Sequence, residues 1–195
     1  QIVVSNSLDE FLIESLLSQG AQIDSLGVGE NLVTSKSSPV FGGVYKLCAV
    51  IKDGEIIPKI KVSENIEKVT NPGMKNLYRI YDKESGMALG DIMTLVDETL
   101  DPSQDLTIYH QMNYWKNKTI PKGSYELRDL LVPIFIDGQL VYDCPSLAEI
   151  RAYSEKELSH LWDEVKRFTY PQTYYVDLSR KLLDLKMKML EEVPK

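Results

Sequence analysis

The chain is short of the residues that most often announce chemistry. Among 195 residues there are two histidines and two cysteines. His110 ends the run Leu106-Thr107-Ile108-Tyr109-His110 and His160 falls in a surface helix; neither has a partner at H-E-x-x-H spacing, which excludes that zinc signature. Both are read as packing residues. Cys48 and Cys144 stand far apart beside apolar neighbours, without metal-ligand spacing or the density of a disulfide-stapled domain, and are read as reduced thiols. No run approaches the eighteen to twenty apolar residues of a membrane span. A basic leader with a small-residue cleavage site is also missing, so cytoplasmic residence is expected. There is no G-x-S-x-G nucleophile elbow, no Gly-Lys-Ser/Thr phosphate loop, no internal repeat and no low-complexity segment.

Positive charge is absent from the first 35 residues, which carry five acids and no Lys or Arg. Residues 36–83 reverse this, with nine basic and five acidic side chains, and residues 84–195 hold thirteen basic and nineteen acidic ones. A formal net charge of -7 argues against coating nucleic acid or anionic lipid. An initiator methionine is lacking as well: Gln1 leads at once into Ile2-Val3-Val4, a buried-strand signal, and processing or truncation is expected.

The opening 29 residues read as a β-α-β unit. Gln1 to Val4 is a β-branched run suited to a parallel strand covered on both faces. Leu8, Phe11, Leu12 and Leu16 then follow at helical spacing. Ser7 and Glu10 have the spacing of a capping box, and Gly20 is placed to close the helix. Gln22 to Leu26 reads as the second strand, ended by Gly27-Val28-Gly29. Strand ends of this kind collect ligands. Ser5-Asn6-Ser7 and Gly27-Val28-Gly29 open on one side, where glycine backbone can approach an anion, so phosphate is the natural guest. A dinucleotide fingerprint is excluded, because the third glycine is missing and Asn31-Leu32-Val33-Thr34 reads as a strand rather than a helix.

Further on the pattern turns to strands. Val44 to Val50 and Ile56 to Val62 flank the hairpin signal Lys52-Asp53-Gly54-Glu55, with Pro58 marking an edge. Strands are also expected at Leu77–Tyr81, Gly90–Val96 and Leu106–His110, and a two-stranded finish around Asp137-Gly138. The last fifty residues read as helices capped by Ser146 with Glu149, by Ser154 with Glu157, and by Asp177 or Ser179. Leu178, Leu182, Leu185 and Met189 fall on one face of the last, and Met187 and Met189 are read as packing. Among candidate groups, Asp97-Glu98 is a poor acid pair because neighbours on a strand face opposite ways. Tyr109, Tyr114 and Trp115 suit an apolar layer or a stacking platform. Lys46, Lys59, Lys61 and Lys68 are the best sources of positive charge toward a polyanion.

Several motifs in order carry a resemblance. Ser5-Asn6-x-Leu8-Asp9-Glu10, Ile23-Asp24-x-x-Gly27-Val28-Gly29, Gly42-Gly43-Val44-Tyr45-Lys46-Leu47, Lys61-Val62-Ser63-Glu64-Asn65-x-Glu67-Lys68-Val69-Thr70-Asn71-Pro72-Gly73 and Tyr78-Arg79-Ile80-Tyr81 together resemble the C-terminal part of nicotinate phosphoribosyltransferases. Leu161-Trp162-Asp163-Glu164 and Tyr175-Val176-Asp177-Leu178-Ser179 extend the likeness through the tail. The resemblance implies an α/β fold: the terminal part of an irregular α/β barrel (residues 1–39), a β-rich segment of a second domain (40–145) and a C-terminal helical segment (146–195). It implies a homodimeric parent that joins nicotinate to phosphoribosyl pyrophosphate with ATP and Mg2+, giving nicotinate mononucleotide for NAD salvage, without nucleic-acid or membrane partners. Ser5, Asn6, Gly27, Val28 and Gly29 would face the donor phosphate, with Ser7, Glu30 and Lys46 behind them. The phosphorylated histidine of the family would lie upstream, leaving no catalytic residue and no metal ligand here, and the 195-residue chain alone inactive. Some relatives have Thr after the G-x-G where this chain has Glu30, a carboxylate that must turn away or find a cation. The alternatives are a nicotinamide- or quinolinate-type transferase and a non-catalytic oligomerisation module.

Overall fold

The β-branched pair Val3-Val4 forms β1 (Val3–Ser5), which pairs in parallel with β2 (Ser25–Gly27), Val3 opposite Ser25 and Ser5 opposite Gly27. Asp24 secures the start of the pair: its Oδ2 accepts the Ile2 amide at 2.6 Å. The crossover is α1 (Glu10–Ser18). Its cap is Asp9, which accepts the Leu12 amide at 2.7 Å, rather than Ser7. Ser7 is held at φ 49° and belongs to the loop, so the expected capping box is displaced by two residues. Gly20, at φ 82°, closes the helix as expected. Beyond β2 the chain forms a one-turn helix, α2 (Glu30–Val33), not the expected strand: the Leu32 and Val33 amides donate to the Gly29 carbonyl at 3.1 and 3.2 Å and close the turn.

The computed structural model describes residues 1–65 and 68–192, so Glu67 of the resemblance lies outside it. It divides into two compact units, one of Gln1–Tyr45 with Arg167–Pro171 and one of Lys46–Lys166 continued from Gln172. The first unit has little interior. Leu8 is its one buried apolar side chain among the described residues, Phe11 and Phe168 meet edge to face, and Val3 is 64% exposed. The two strands pair only with each other, and no barrel closes among the described residues.

The second unit begins with a hairpin, β3 (Ala49–Lys52) and β4 (Glu55–Pro58), turned at Asp53-Gly54. Both strands are shorter than the sequence suggests; Val44 to Cys48 is not a strand, and β4 ends at Pro58. Then come β5 (Lys75–Asp82), β6 (Ala88–Leu95), β7 (Leu106–Tyr109), β8 (Asn117–Ile120) and β9 (Tyr125–Asp129). A small hairpin, β10 (Phe135–Ile136) and β11 (Gln139–Leu140), turns at Asp137-Gly138 as expected. The helices α3 (Leu147–Ser159), α4 (Asp163–Lys166) and α5 (Arg180–Glu191) follow, with β12 (Val176–Leu178) between the last two. Ser146 and Glu149 cap α3 reciprocally, as their spacing predicts, whereas Ser154 lies within a continuous helix and caps nothing. Ser179 caps α5. Asp177 and Leu178 are strand residues, not helical ones. No helix of the described residues is long and apolar enough to cross a membrane.

Six strands form one sheet in the order β8-β7-β12-β6-β5-β9. Its two faces bury different sets. On one, Ile80, Ile92, Leu106, Ile108, Ile120 and Tyr125 form the main core. On the other, Met93 and Leu95 of β6 meet Leu178, Leu182 and Leu183, seating α5 against the sheet. Ile92 and Met93 facing opposite ways is the period-two alternation of a strand buried on both sides. Gly73 fits tightly beneath this face: it adopts φ +84°, and a Cβ there would stand 2.6 Å from Leu95 Cδ2. Gly73→Ala is therefore expected to cost about 1–3 kcal/mol through strain and overpacking. A thermal melt checks it, and an unchanged midpoint would show that Leu95 yields freely.

Candidate functional site

Parallel pairing of β1 and β2 aims both carboxyl ends to one side, and the two following loops meet there. Between them is a cleft of about 260 Å³, lined by Asn6, Ser7, Leu8, Gly27, Gly29, Glu30 and Asn31. The chain enters it in a strained conformation, because Asn6 at φ 88° and Ser7 at φ 49° are successive left-handed residues with side chains. Such geometry costs about 1–2 kcal/mol per residue, less for Asn, and gathers at ligand sites. On the other wall, a Cβ on Gly27 would lie 3.1 Å from Ser5 Cβ, so glycine is what allows the strand ends this approach. Gly29 differs: a Cβ there would meet nothing within 4 Å. Gly29 also precedes α2, whose first amides have no acceptor within the helix.

The cleft thus gathers Asn6, Ser7, Gly27, Gly29 and Glu30 of the expected set. Ser5 does not line it, although its Cβ closely approaches Gly27. Val28 points elsewhere, into a neighbouring cleft of about 280 Å³ beside Asp9, Ile13 and Leu32. Lys46 belongs to the other unit, where its ammonium donates to the Lys68 carbonyl. Glu30 has found a cation: its Oε1 is 3.9 Å from the Lys36 ammonium, both side chains well exposed.

Asn31 was not legible as a site residue. Its Nδ2 donates to the Leu8 carbonyl at 2.9 Å, tying the two loops together, and its buried Oδ1 has no partner. Nothing in the sequence separates it from any other polar residue after a G-x-G; only the fold brings it to Leu8.

No Lys or Arg lines the cleft. An anion bound here would be held by backbone amides, hydroxyls and carboxamides, with compensating charge supplied from outside the unit. No three His, Cys, Asp or Glu side chains converge among the described residues. These residues therefore do not by themselves form a protein-held magnesium site.

The other candidate groups have structural work. His160 Nδ1 lies 2.8 Å from the Gly86 carbonyl, and Glu98 accepts the Leu95 amide and the Ser179 hydroxyl, each at 2.7 Å. Asp97 pairs with Lys181. Tyr114 and Trp115 touch edge to face, while Tyr109 lies under Arg180.

Residues 74–186 match the nicotinate phosphoribosyltransferase C-terminal domain. The nicotinate phosphoribosyltransferase of Bacillus subtilis is 38% identical over 193 residues, covering 99% of this chain and 39% of that protein. The human enzyme of the same name is 35% identical over 190 residues, covering 93% of this chain and 32% of that protein. The crystal structure of human nicotinic acid phosphoribosyltransferase superposes with a TM-score of 0.68 at 29% identity, over 97% of this chain and 33% of that one. The chain spans about a third to two fifths of the length of these relatives. With more than half its length, including the whole six-stranded sheet, matched to that domain, the chain belongs to the nicotinate phosphoribosyltransferase family.

Proposed function

We propose that this chain is the C-terminal part of an enzyme that transfers phosphoribosyl from phosphoribosyl pyrophosphate to nicotinate, with ATP and Mg2+, in NAD salvage. The opening β-α-β unit then forms the last portion of a barrel and supplies one wall of the donor-phosphate site. Ser5, Asn6, Gly27 and Gly29 carry that wall, with Ser7 and Glu30 behind it. The observation that supports this most directly is the cleft where two parallel strands end, with glycine backbone on one side and a strained Asn6-Ser7 corner on the other. Amides preorganised toward an anion stabilise charge as pyrophosphate departs, without reorganising at the moment of reaction. The deficit of cations in the cleft supports a shared site, since leaving pyrophosphate needs positive charge that these residues do not hold. The phosphorylated histidine and the ring-binding residues belong to the upstream part of the parent, a homodimer, and the 195-residue chain alone has no transferase activity.

Gly29→Val tests the cleft, because a Cβ at this position meets no protein atom within 4 Å and the side chain takes up cleft space. In the parent-length enzyme it is expected to weaken binding of phosphoribosyl pyrophosphate at least tenfold, with the fold intact by circular dichroism. Unchanged affinity would assign the G-x-G to a structural turn and favour the oligomerisation module.

A further inference from the structure

Asp177 lies on β12, within the six-stranded sheet, and is only 8% exposed. Among the described residues its carboxylate receives no hydrogen bond and makes no ion pair. A buried charge without a partner is strongly unfavourable. Burial accordingly raises the Asp177 pKa above the ordinary aspartate value, and His110 and Lys118 pull the other way.

Strand register fixes what this carboxylate has beside it. Leu178 stands opposite Tyr109 in an antiparallel pair, so Asp177, one residue back, stands opposite His110. The ladder continues from His110 to Lys116, whose carbonyl accepts the His110 amide at 3.1 Å. On its other side Asp177 is opposite Ile92. Directly opposed side chains share a face. Lys116, His110, Asp177 and Ile92 thus form one row on the face of the main core, and Lys118, opposite Ile108, joins the same face one row away.

That face carries a cleft of about 230 Å³ lined by Asp177, His110, Lys116 and Lys118, with Ile108 and Leu89 as apolar walls. Tyr175 also lines it and meets the His110 ring edge to face. His110 Nδ1 accepts the Met112 and Asn113 amides at 3.1 and 3.2 Å, so the neutral ring carries its proton on Nε2. The cleft therefore sets a buried acceptor beside an N–H donor, on residues whose Cβ atoms are about 4.5–5.5 Å apart. Lys116 and Lys118 are both exposed and give it a positive rim. A simple cation would satisfy the carboxylate but be repelled by that rim, and a simple anion would be repelled by the carboxylate. The matching ligand has an N–H edge at one end and negative charge at the other. The volume is below the about 300–1,000 Å³ of sites that enclose a whole drug-sized ligand, which suits one planar ring with its charged end outside.

We propose that this cleft binds the base of a guanine nucleotide. The ring N–H and the amino group donate to the two oxygens of Asp177, the ring carbonyl beside them accepts from His110 Nε2, and the phosphate reaches Lys116 and Lys118. Adenine is refused, because the matching ring nitrogen turns a lone pair toward the carboxylate. The site rests on the six-stranded unit's own residues and does not depend on the reading of the strand-end cleft.

The test is calorimetric titration of the 195-residue chain with guanosine monophosphate at neutral pH and constant ionic strength, repeated with adenosine and xanthosine monophosphates. One saturable site is expected for the guanine nucleotide, with the adenine nucleotide at least about tenfold weaker, the worth of one charge-assisted hydrogen bond. Asp177→Asn should weaken the guanine nucleotide by a similar factor and strengthen the xanthine one, since a carboxamide can donate to the carbonyl that replaces the amino group. It should not lower the melting temperature, because it removes an unpaired buried charge. Lys118→Met should weaken guanosine monophosphate several-fold and leave guanosine unaffected, and it decides the matter with the base comparison if Asp177→Asn fails to fold. The proposal is overturned if guanosine monophosphate shows no saturable site, if the adenine nucleotide binds as well, or if Asp177→Asn keeps the preference for guanine over xanthine.

Discussion

Asp91→Ala is expected to lower the unfolding free energy of the six-stranded unit by about 3–5 kcal/mol, the range for breaking a buried ion pair by removing one partner. The carboxylate sits on the central strand β6 with its side chain only 6% exposed. It accepts Arg79 Nε at 2.9 Å and Nη2 at 3.2 Å, a two-pronged grip that fits the planar guanidinium. It also accepts the Tyr174 hydroxyl at 2.7 Å, and burial together with this bond raises the Tyr174 pKa. Without Asp91, Arg79 would keep Glu157 alone as a charge partner and Tyr174 would lose its acceptor. Tyr174→Phe is the control, expected to cost about 1 kcal/mol as one hydrogen bond. Urea unfolding measures both; equal midpoints for the two variants would show that Arg79 is not held by Asp91 in solution.

Glu157→Gln should destabilise by about 2–3 kcal/mol, toward the low end for such pairs because Arg128 is one-third exposed. Glu157 is the anchor of a helix that buries no residue: along α3, Leu147, Ile150, Tyr153 and Leu158 are all exposed. Its carboxylate receives Arg128 Nη1 at 2.7 Å and Nη2 at 2.6 Å, and Arg79 Nη1 at 3.0 Å. The Arg128 hydrogen bonds, foremost, hold its pKa below the ordinary glutamate value. A folded-state pKa below the unfolded one contributes stability that is complete above the unfolded value, about 4.3. That contribution is lost as pH falls through the folded value. The wild-type urea midpoint should therefore drop in acid more steeply than that of Glu157→Gln, and the two curves should converge once the pH lies below the folded-state value. Parallel curves would remove Glu157 as the source of the acid sensitivity. Hydrogen exchange offers a second reading, with α3 amides exposed faster in the variant and those of β5 and β6 slowed as before.

Local signals were legible where the local chain decides the outcome. The parallel β-α-β start, the Asp53-Gly54 and Asp137-Gly138 turns, and the Ser146–Glu149 and Ser179 caps all rest on neighbouring residues. Elements decided by distant partners were not. In β8, Asn117-Lys118-Thr119-Ile120 has a single buried side chain, so its alternation is nearly silent, and pairing with β7 makes it a strand. Val176-Asp177-Leu178 looks like the approach to a helix until the gap between β6 and β7 takes it in. Asn31 was invisible for the same reason, its partner at Leu8 being supplied only when the strands align. The strand-end residues themselves could be read because glycine and short polar side chains after a strand report on local backbone. Charge was less informative: the basic block of residues 36–83 singled out Lys46, whereas the buried ammonium, among the described residues, is that of Lys186 in the acidic tail.

The position of β12 has a consequence for synthesis. It lies between β7 and β6, parallel to the latter, and comprises residues 176–178. A chain growing on the ribosome at about 5–20 residues per second therefore makes β6-β5-β9 and β7-β8 as two separate ribbons well before the strand that joins them. Until Leu178 emerges, β6 and β7 each keep an open hydrogen-bonding edge, and the apolar face later covered by α5 is bare. The six-stranded sheet is thus assembled from the outside inward, its middle strand arriving last.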